Sequence, residues 1–219
     1  MSLCKKDIYA GIYNNPPLSY IDSSGKPAGL FPSIMDMIAK ENDLNIIYKK
    51  CQWSKCLQML SSNTIDILSP IAHTKSREKY YLFSNEVILT NFGTVYTNKD
   101  ENINFWTDLN DKKAGLLKND IHAKIFFNYI KNFKINASVI YFDNYKEMFG
   151  MLNQKKLDAI VSNSIIFLKY QKRFANVKKT DIILDRIPVT FAYSKNNTKL
   201  KNKIDKALKN YKIDIDSPY

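Results

Sequence analysis

A chain of 219 residues, 45% hydrophobic and 25% charged, has the material for one large globular domain or two small ones. No apolar run reaches the ~20 residues of a membrane helix, and Met1-Ser2-Leu3 lacks the basic and apolar regions of a signal peptide. That opening reads as an expression remnant, with any export segment expected to have been removed. The net charge of +12 invites a nucleic-acid reading, but Arg77, Arg173 and Arg186 are the only arginines, and the lysines alternate with Asn and Ile along the whole chain. Nucleic-acid sites concentrate Arg and Lys on one face, so the charge is read as a solvated surface.

In chain order, Lys6 to Tyr13 reads as a strand, followed by a loop through Asn14-Asn15-Pro16-Pro17 and a turn at Ser23-Ser24-Gly25-Lys26-Pro27. A helix is expected from about Pro32, with Ile34, Met35 and Ile38 on one side. Asn45 to Lys49 is a second strand, Trp53 to Leu60 a short helix, and Ile65 to Leu68 a buried strand. Strands follow at Phe92 to Thr97 and Ala114 to Leu117, then a loop at Lys118-Asn119-Asp120 and a helix from Ile121 to Phe133. Val139 to Tyr141 is a strand, Tyr145 to Leu152 a helix, Pro188 to Tyr193 a strand, and Lys199 to Tyr211 a final amphipathic helix. Alternation of strands and helices argues for α/β architecture with mostly parallel sheets.

Two segments repeat one pattern. Leu60-Ser-Ser-Asn-Thr-Ile65-Asp66-Ile67-Leu68 matches Leu152-Asn-Gln-Lys-Lys-Leu157-Asp158-Ala159-Ile160: a helix ends on Leu, polar residues follow, and a strand opens on an aliphatic residue and Asp. Chance similarity of two helix-to-strand joints is one reading. Two lobes of one design is the other, favoured by the strand and helix that precede each copy.

Cys4, Cys51 and Cys56 contain no CxxC, and His73 and His122 lie far apart, so no zinc site or other metal or cofactor site is expected. The spacing of Cys51 and Cys56 permits a disulfide without requiring one.

The run Ser69-Pro70-Ile71-Ala72-His73-Thr74-Lys75-Ser76-Arg77 through Phe83-Ser84 resembles the motif of bacterial extracellular solute-binding proteins of family three, the polar amino-acid-binding type. There, a strand leads into a small-residue loop, then Thr-x-x-Arg, then an aromatic-Ser pair. The resemblance continues through Gly11, Gly25-Lys26-Pro27-Ala28-Gly29, Trp53, Asp66, Leu109, Gly115 and Asp158. It implies a two-lobed periplasmic-binding-protein type II clamshell with two hinge crossovers. Lobe one would hold residues 5–90 plus 188–219, lobe two residues 91–187, with hinges near Asn91 and Ile187-Pro188.

Arg77 maps onto the arginine that holds the ligand's carboxylate, a role its planar, permanently charged fork suits. Ser69 and the backbone N–H of Ala72 would complete the cradle. Trp53 and Tyr13 map onto wall positions, with packing in the core as the other reading for each. Asn119, Asp120 and Ile121 sit where a strand meets a helix N-terminus; Asp120 either caps that helix or meets a ligand cation. His122 is expected on the helix surface, with a ligand contact as the other reading. Amino-acid binders of the family place Asp where Asn163 stands, and often Ser or Thr where Ala72 stands. These departures leave room for an organic acid or a different amine geometry, and Asn163→Asp is expected to improve binding of α-amino acids if the cleft geometry is retained.

Tyr13-Asn-Asn-Pro-Pro-Leu18, Ile71-Ala72-His73-Thr74, Thr90 to Tyr96 and Asp185-Arg186-Ile187-Pro188 look more like sensor ectodomains of membrane signalling proteins. The ending Lys212 to Tyr219 resembles the stretch before the membrane helix in such sensors. The expectation is therefore a periplasmic or extracellular, membrane-tethered sensor domain for a small carboxylate. It would be continuous with a membrane helix and a cytoplasmic signalling domain, of a histidine kinase or a cyclic-dinucleotide protein. The alternative is a solute receptor for an ABC-type amino-acid importer. The fold also hosts lyases and dehydratases, but Asp120 is the single carboxylate placed at the site and no GxSxG, HExxH or phosphate loop occurs, so no catalysis is expected.

Overall fold

The computed structural model describes residues 6–214; Met1-Ser2-Leu3, Cys4 and the last residues of the Lys212 to Tyr219 stretch lie outside the described residues. The strands are β1 (Lys6–Ile12), β2 (Tyr20–Ile21), β3 (Pro27–Ala28), β4 (Leu44–Lys50), β5 (Ile67–Ala72), β6 (Tyr81–Phe83), β7 (Leu89–Asn98), β8 (Lys113–Leu117), β9 (Ser138–Phe142), β10 (Ala159–Asn163) and β11 (Val177–Ser194). The helices are α1 (Leu30–Glu41), α2 (Trp53–Ser61), α3 (Lys75–Glu78), α4 (Ile121–Asn132), α5 (Tyr145–Asn153), α6 (Ile166–Tyr170) and α7 (Thr198–Ile213), with a 3-10 turn at Trp106–Leu109. The chain divides into two compact units, Met1–Thr90 with Pro188–Tyr219, and Asn91–Ile187.

In the first unit β1 pairs in parallel with β4 and β5, and β11 runs antiparallel to β5 and β6. α1 begins at Leu30 rather than Pro32 because Gly29 can take φ 110 beside the Pro17 and Leu18 carbonyls, where a Cβ would lie 2.6 Å from an oxygen. β5 begins at Ile67 rather than Ile65 and runs through the expected small-residue loop to Ala72. It accommodates Pro70 because the register against β11 slips there: Leu68 opposes Ala192, but Ile71 opposes Thr190. A proline, with no N–H to give the ladder, is tolerated at such a bulge. Cys56, Leu60, Ile65, Leu68, Ile71, Tyr81, Phe83 and Ala192 form one buried cluster.

In the second unit the strand order is β11–β7–β10–β8–β9. β8 is parallel to β9 and β10, and β7 is antiparallel to β10. Strand pairing is mixed rather than mostly parallel: β7 and β11, the two strands that continue from one unit into the other, pair antiparallel, and β2 and β3 form a separate antiparallel pair. β11 starts at Val177, well before Pro188: Thr180, Ile182, Leu184 and Ile187 are buried while Asp181, Ile183 and Asp185 are exposed, a period-two pattern that extends the strand. The core gathers Val95, Leu109, Leu116, Phe126, Ile130, Val161, Ile182 and Leu184.

The repeated segments adopt the same geometry. Asp66 Oδ2 accepts the Tyr9 N–H at 2.9 Å, and the Asp66 N–H donates to the Tyr9 carbonyl at 2.8 Å. Asp158 does the same with Lys113, at 2.7 and 3.0 Å. Before each aspartate the helix ends identically: Ser62 donates to Gln58 and Gln154 to Gly150, then Thr64 to Met59 and Lys156 to Met151. Asn63 and Lys155 both take φ 58. Common hydrogen bonding at every step argues for one helix-to-strand joint used twice rather than chance.

Candidate functional site

In the first unit Tyr13, Trp53, Ala72 and Arg77 come together. Tyr13 follows β1, and its hydroxyl donates to the Pro70 carbonyl at 2.8 Å and accepts from Asn15 Nδ2 at 3.1 Å. Its ring lies 4.8 Å from that of Trp53, the first residue of α2, and both pack against the buried cluster beneath. Arg77 is carried by the four-residue α3, whose N-cap Thr74 accepts the Arg77 N–H. The guanidinium donates from Nη1 to the Ala72 carbonyl at 3.0 Å and stands 5.2 Å from the Trp53 ring. A guanidinium bonded to a carbonyl and standing over an aromatic face has its plane set by both, and a planar guanidinium is the group that matches a carboxylate. Its charge is felt nearby: burial pushes the Tyr81 phenol up, and the Arg77 cation pulls it back. Ser69 lies half-buried at the β5 bulge.

Cys51 and Cys56 are joined in a disulfide, Cα–Cα 5.4 Å, closing a loop that contains Trp53. The sequence left this open because spacing alone cannot orient the two Cβ vectors.

In the second unit Asn119 turns the chain at φ 58 between β8 and α4. Asp120 is the N-cap of α4, its Oδ1 accepting the His122 N–H at 2.7 Å while Oδ2 accepts the Tyr145 hydroxyl at 3.0 Å. Ile121 follows, half-buried. Tyr145 accepts in turn from Asn163 Nδ2 at 3.2 Å, and Asn163 Oδ1 accepts the Ile166 N–H at 2.9 Å. The backbone donor fixes which end of the amide faces which way, so the chain has one polarity: amide to phenol, phenol to carboxylate. Asn163 is buried, 5% exposed, with both ends of its amide bonded inside this unit. Tyr145 carried no sequence signal except its place in the repeat, where it corresponds to Trp53 as the first residue of its helix.

The expectation that His122 lies on the surface is corrected. It is 5% exposed, because its ring folds over Gly93 of β7, where a Cβ would come within 2.7 Å of Nδ1. At the crossing strands, Asn91 is buried, its Oδ1 accepting from the Phe92 N–H at 2.8 Å and the Ser164 hydroxyl at 2.9 Å. Ile187 is buried beside Pro188, whose carbonyl accepts the His73 N–H at 2.9 Å. Among the described residues no group of three or more His, Cys, Asp or Glu could hold a metal ion, and no helix is long and apolar enough to cross a membrane.

The chain is 24% identical over 205 residues to the probable amino-acid-binding protein YxeM of Bacillus subtilis, covering 88% of this chain and 73% of that protein. Its fold matches an ancestral arginine-binding protein solved with arginine, at TM-score 0.86 and 26% identity, over 96% of this chain and 94% of the other. It also matches a histidine kinase sensor domain with similarity to periplasmic binding proteins, at TM-score 0.85 and 17% identity, over 95% and 90% of the two chains. The fold is that of the type II periplasmic binding proteins. The family model for bacterial extracellular solute-binding proteins, family 3, matches residues 8–216, and the chain belongs to that family.

Proposed function

We propose that the two units are the lobes of an extracytoplasmic receptor that closes around one small carboxylate-bearing solute, an amino acid or an organic acid. Closure would turn on the strands through Asn91 and Ile187-Pro188. Arg77 receives the carboxylate, Ser69 and the Ala72 N–H flank it, and Trp53 and Tyr13 form the wall. Asn119, Asp120 and Ile121 supply the second unit's contribution, with Asn163 acting on it through Tyr145. The observation that carries this reading is the Arg77 guanidinium, fixed by the Ala72 carbonyl and the Trp53 ring. Amino-acid binding is further supported by the similar protein solved with arginine.

The domain serves as the input of a membrane-bound signalling protein, a reading supported by the sensor-like segments around Tyr13, Ala72 and Asp185 and by the likeness to a kinase sensor domain. Ligand would signal through its difference in affinity for open and closed states. The likeness to a curated amino-acid-binding protein favours a second reading, a receptor delivering solute to an importer. The full reading frame separates the two: a membrane helix and signalling domain beyond Tyr219 favour the sensor, a stop codon the importer.

A thermal-shift panel of the L-amino acids and small organic acids, run on the wild type and Arg77→Ala, tests the ligand class. A ligand at ~100 times its dissociation constant adds ~2.7 kcal/mol of stability, and that gain should vanish in the variant. A carboxylate ligand that stabilises both proteins equally would remove Arg77 from the site.

A further inference from the structure

The two repeated joints carry helices of equal length but begin them differently. α5 opens on Asn144, whose side chain accepts the Glu147 N–H at 2.9 Å. α2 opens on Gln52, which makes no side-chain cap, and has no acidic residue in its first turn. A nine-residue helix is well below the ~12–15 residues needed for independent stability, so an uncapped first turn should fray. Trp53 is the first residue of that turn. In its place the first unit has a covalent tie. Cys56 is wholly buried in the core cluster, and its sulfur bonds to Cys51, whose N–H donates to the Ile12 carbonyl at 3.0 Å, one residue before Tyr13.

We infer that the Cys51–Cys56 disulfide stands in for the missing helix cap. It holds Trp53 against Tyr13 and Arg77, so that an oxidising compartment keeps this part of the first unit ordered. The cross-link clamps the end of β4 to the first turn of α2, and Trp53 sits in the loop it closes. Reduction by a dithiol breaks one S–S bond. Two electrons and two protons pass to the sulfurs, two thiols form, and the reductant becomes a cyclic disulfide. The helix start then has neither a Gln52 side-chain cap nor the covalent tie. That the wall thereby loosens toward a ligand rests on the reading of Trp53 under Proposed function; that Trp53 itself loosens does not.

The test uses Trp106→Phe, which leaves Trp53 as the sole tryptophan. Time-resolved fluorescence anisotropy and acrylamide quenching are measured on this protein before and after dithiothreitol, and on the same background carrying Cys51→Ser with Cys56→Ala. The expected result is a larger amplitude of fast Trp53 motion and more quenching in both disulfide-free forms. Adding Gln52→Asp to the cysteine variant should restore the original values, since Asp at an N-cap accepts the orphan amides. Trp53 motion and quenching unchanged on loss of the disulfide would overturn the inference. So would loosening that Gln52→Asp fails to reverse, because the tie would then not be replacing a cap. A parallel titration with L-arginine separates this from the ligand reading. Affinity about fivefold weaker, the factor of a lost cap, supports both. Loosened Trp53 with unchanged L-arginine affinity, or with no L-arginine binding in any form, counts against the proposed wall or ligand while the cap role stands.

Discussion

The paired aspartates offer a test in which each unit reports on itself. Asp66→Ala removes two acceptors: Oδ2 for the Tyr9 N–H at 2.9 Å, and Oδ1 for Asn197 Nδ2 at 2.6 Å. Bonds to a charged acceptor are each worth ~1.5–3 kcal/mol net. Asp66 is half-buried, and Asn197 keeps a second partner in Ser194 Oγ, so the low end applies and the sum is about 3 kcal/mol. Asp158→Ala removes the bond from the Lys113 N–H, and Lys113 is exposed, so water replaces much of what is lost, leaving about 1 kcal/mol. The two tryptophans fall one to a unit, Trp53 in the first and Trp106 in the second. Urea unfolding followed by fluorescence in Trp106→Phe and Trp53→Phe backgrounds therefore reads each unit. With a slope of ~2–3 kcal/mol per molar for a domain of this size, Asp66→Ala should lower the Trp53 midpoint by roughly 1 M. Asp158→Ala should move the Trp106 midpoint by less than half as much. A Trp53 midpoint that stays put, or an Asp158→Ala shift as large as that of Asp66→Ala, would refute this account of the joints.

Arg77→Lys keeps the charge but not the planar fork, so a ligand that needs Arg77 should bind Arg77→Lys more weakly than wild type but more tightly than Arg77→Ala. Calorimetry on whichever compound the panel yields ranks the three, and Lys equal to wild type would mean the fork is not used. Gly93→Ala would push a methyl group to within 2.7 Å of the His122 ring, at atoms too near the helix backbone to swing away. The cost should be about 1–3 kcal/mol, seen as a lower midpoint in the Trp106 signal, and an unchanged midpoint would show that α4 yields freely.

What the sequence made legible was local. Ile65-Asp66 and Leu157-Asp158 announce the repeated joint because an aspartate bonding back to a neighbouring strand's amide is specified by a short stretch of chain. Arg77 stood out because the short run from Ser69 to Ser84 resembles the family's Thr-x-x-Arg motif, and the structure adds that Thr74 caps the turn that carries it. The features that escaped depend on contacts between distant segments. The burial of His122 requires a glycine on β7, and the passage of β5 through Pro70 requires a bulge against β11. The disulfide needed two Cβ vectors that only the end of β4 and the first turn of α2 define. Tyr145 is a buried aromatic like many others until Asp120 and Asn163 are seen on either side of its hydroxyl.

That last arrangement bears on Asn163→Asp, whose expected gain in α-amino-acid binding depends on the cleft geometry being retained. An aspartate at this position was expected to restore a receptor for an α-ammonium and improve binding. The amide is instead a donor to Tyr145, and the single phenol proton is already given to Asp120. A carboxylate in its place could still accept the Ile166 N–H, but it would face the Tyr145 oxygen with no hydrogen between them. Either the phenol abandons Asp120 or two oxygens stand in unfavourable contact, at a cost of about 1–3 kcal/mol for the orphaned acceptor. Burial and the neighbouring Asp120 charge would hold the new carboxyl above its unfolded value, which favours the protonated form in the folded chain. The penalty is then fully present above the folded pKa and is relieved as pH falls toward the unfolded one. Asn163→Asp should accordingly be less stable than wild type at pH 8 and recover part of that loss at pH 5, read by the Trp106 urea midpoint. A variant as stable as wild type at both pH values, or one that binds α-amino acids more tightly without losing stability, would mean the carboxylate turns away from Tyr145.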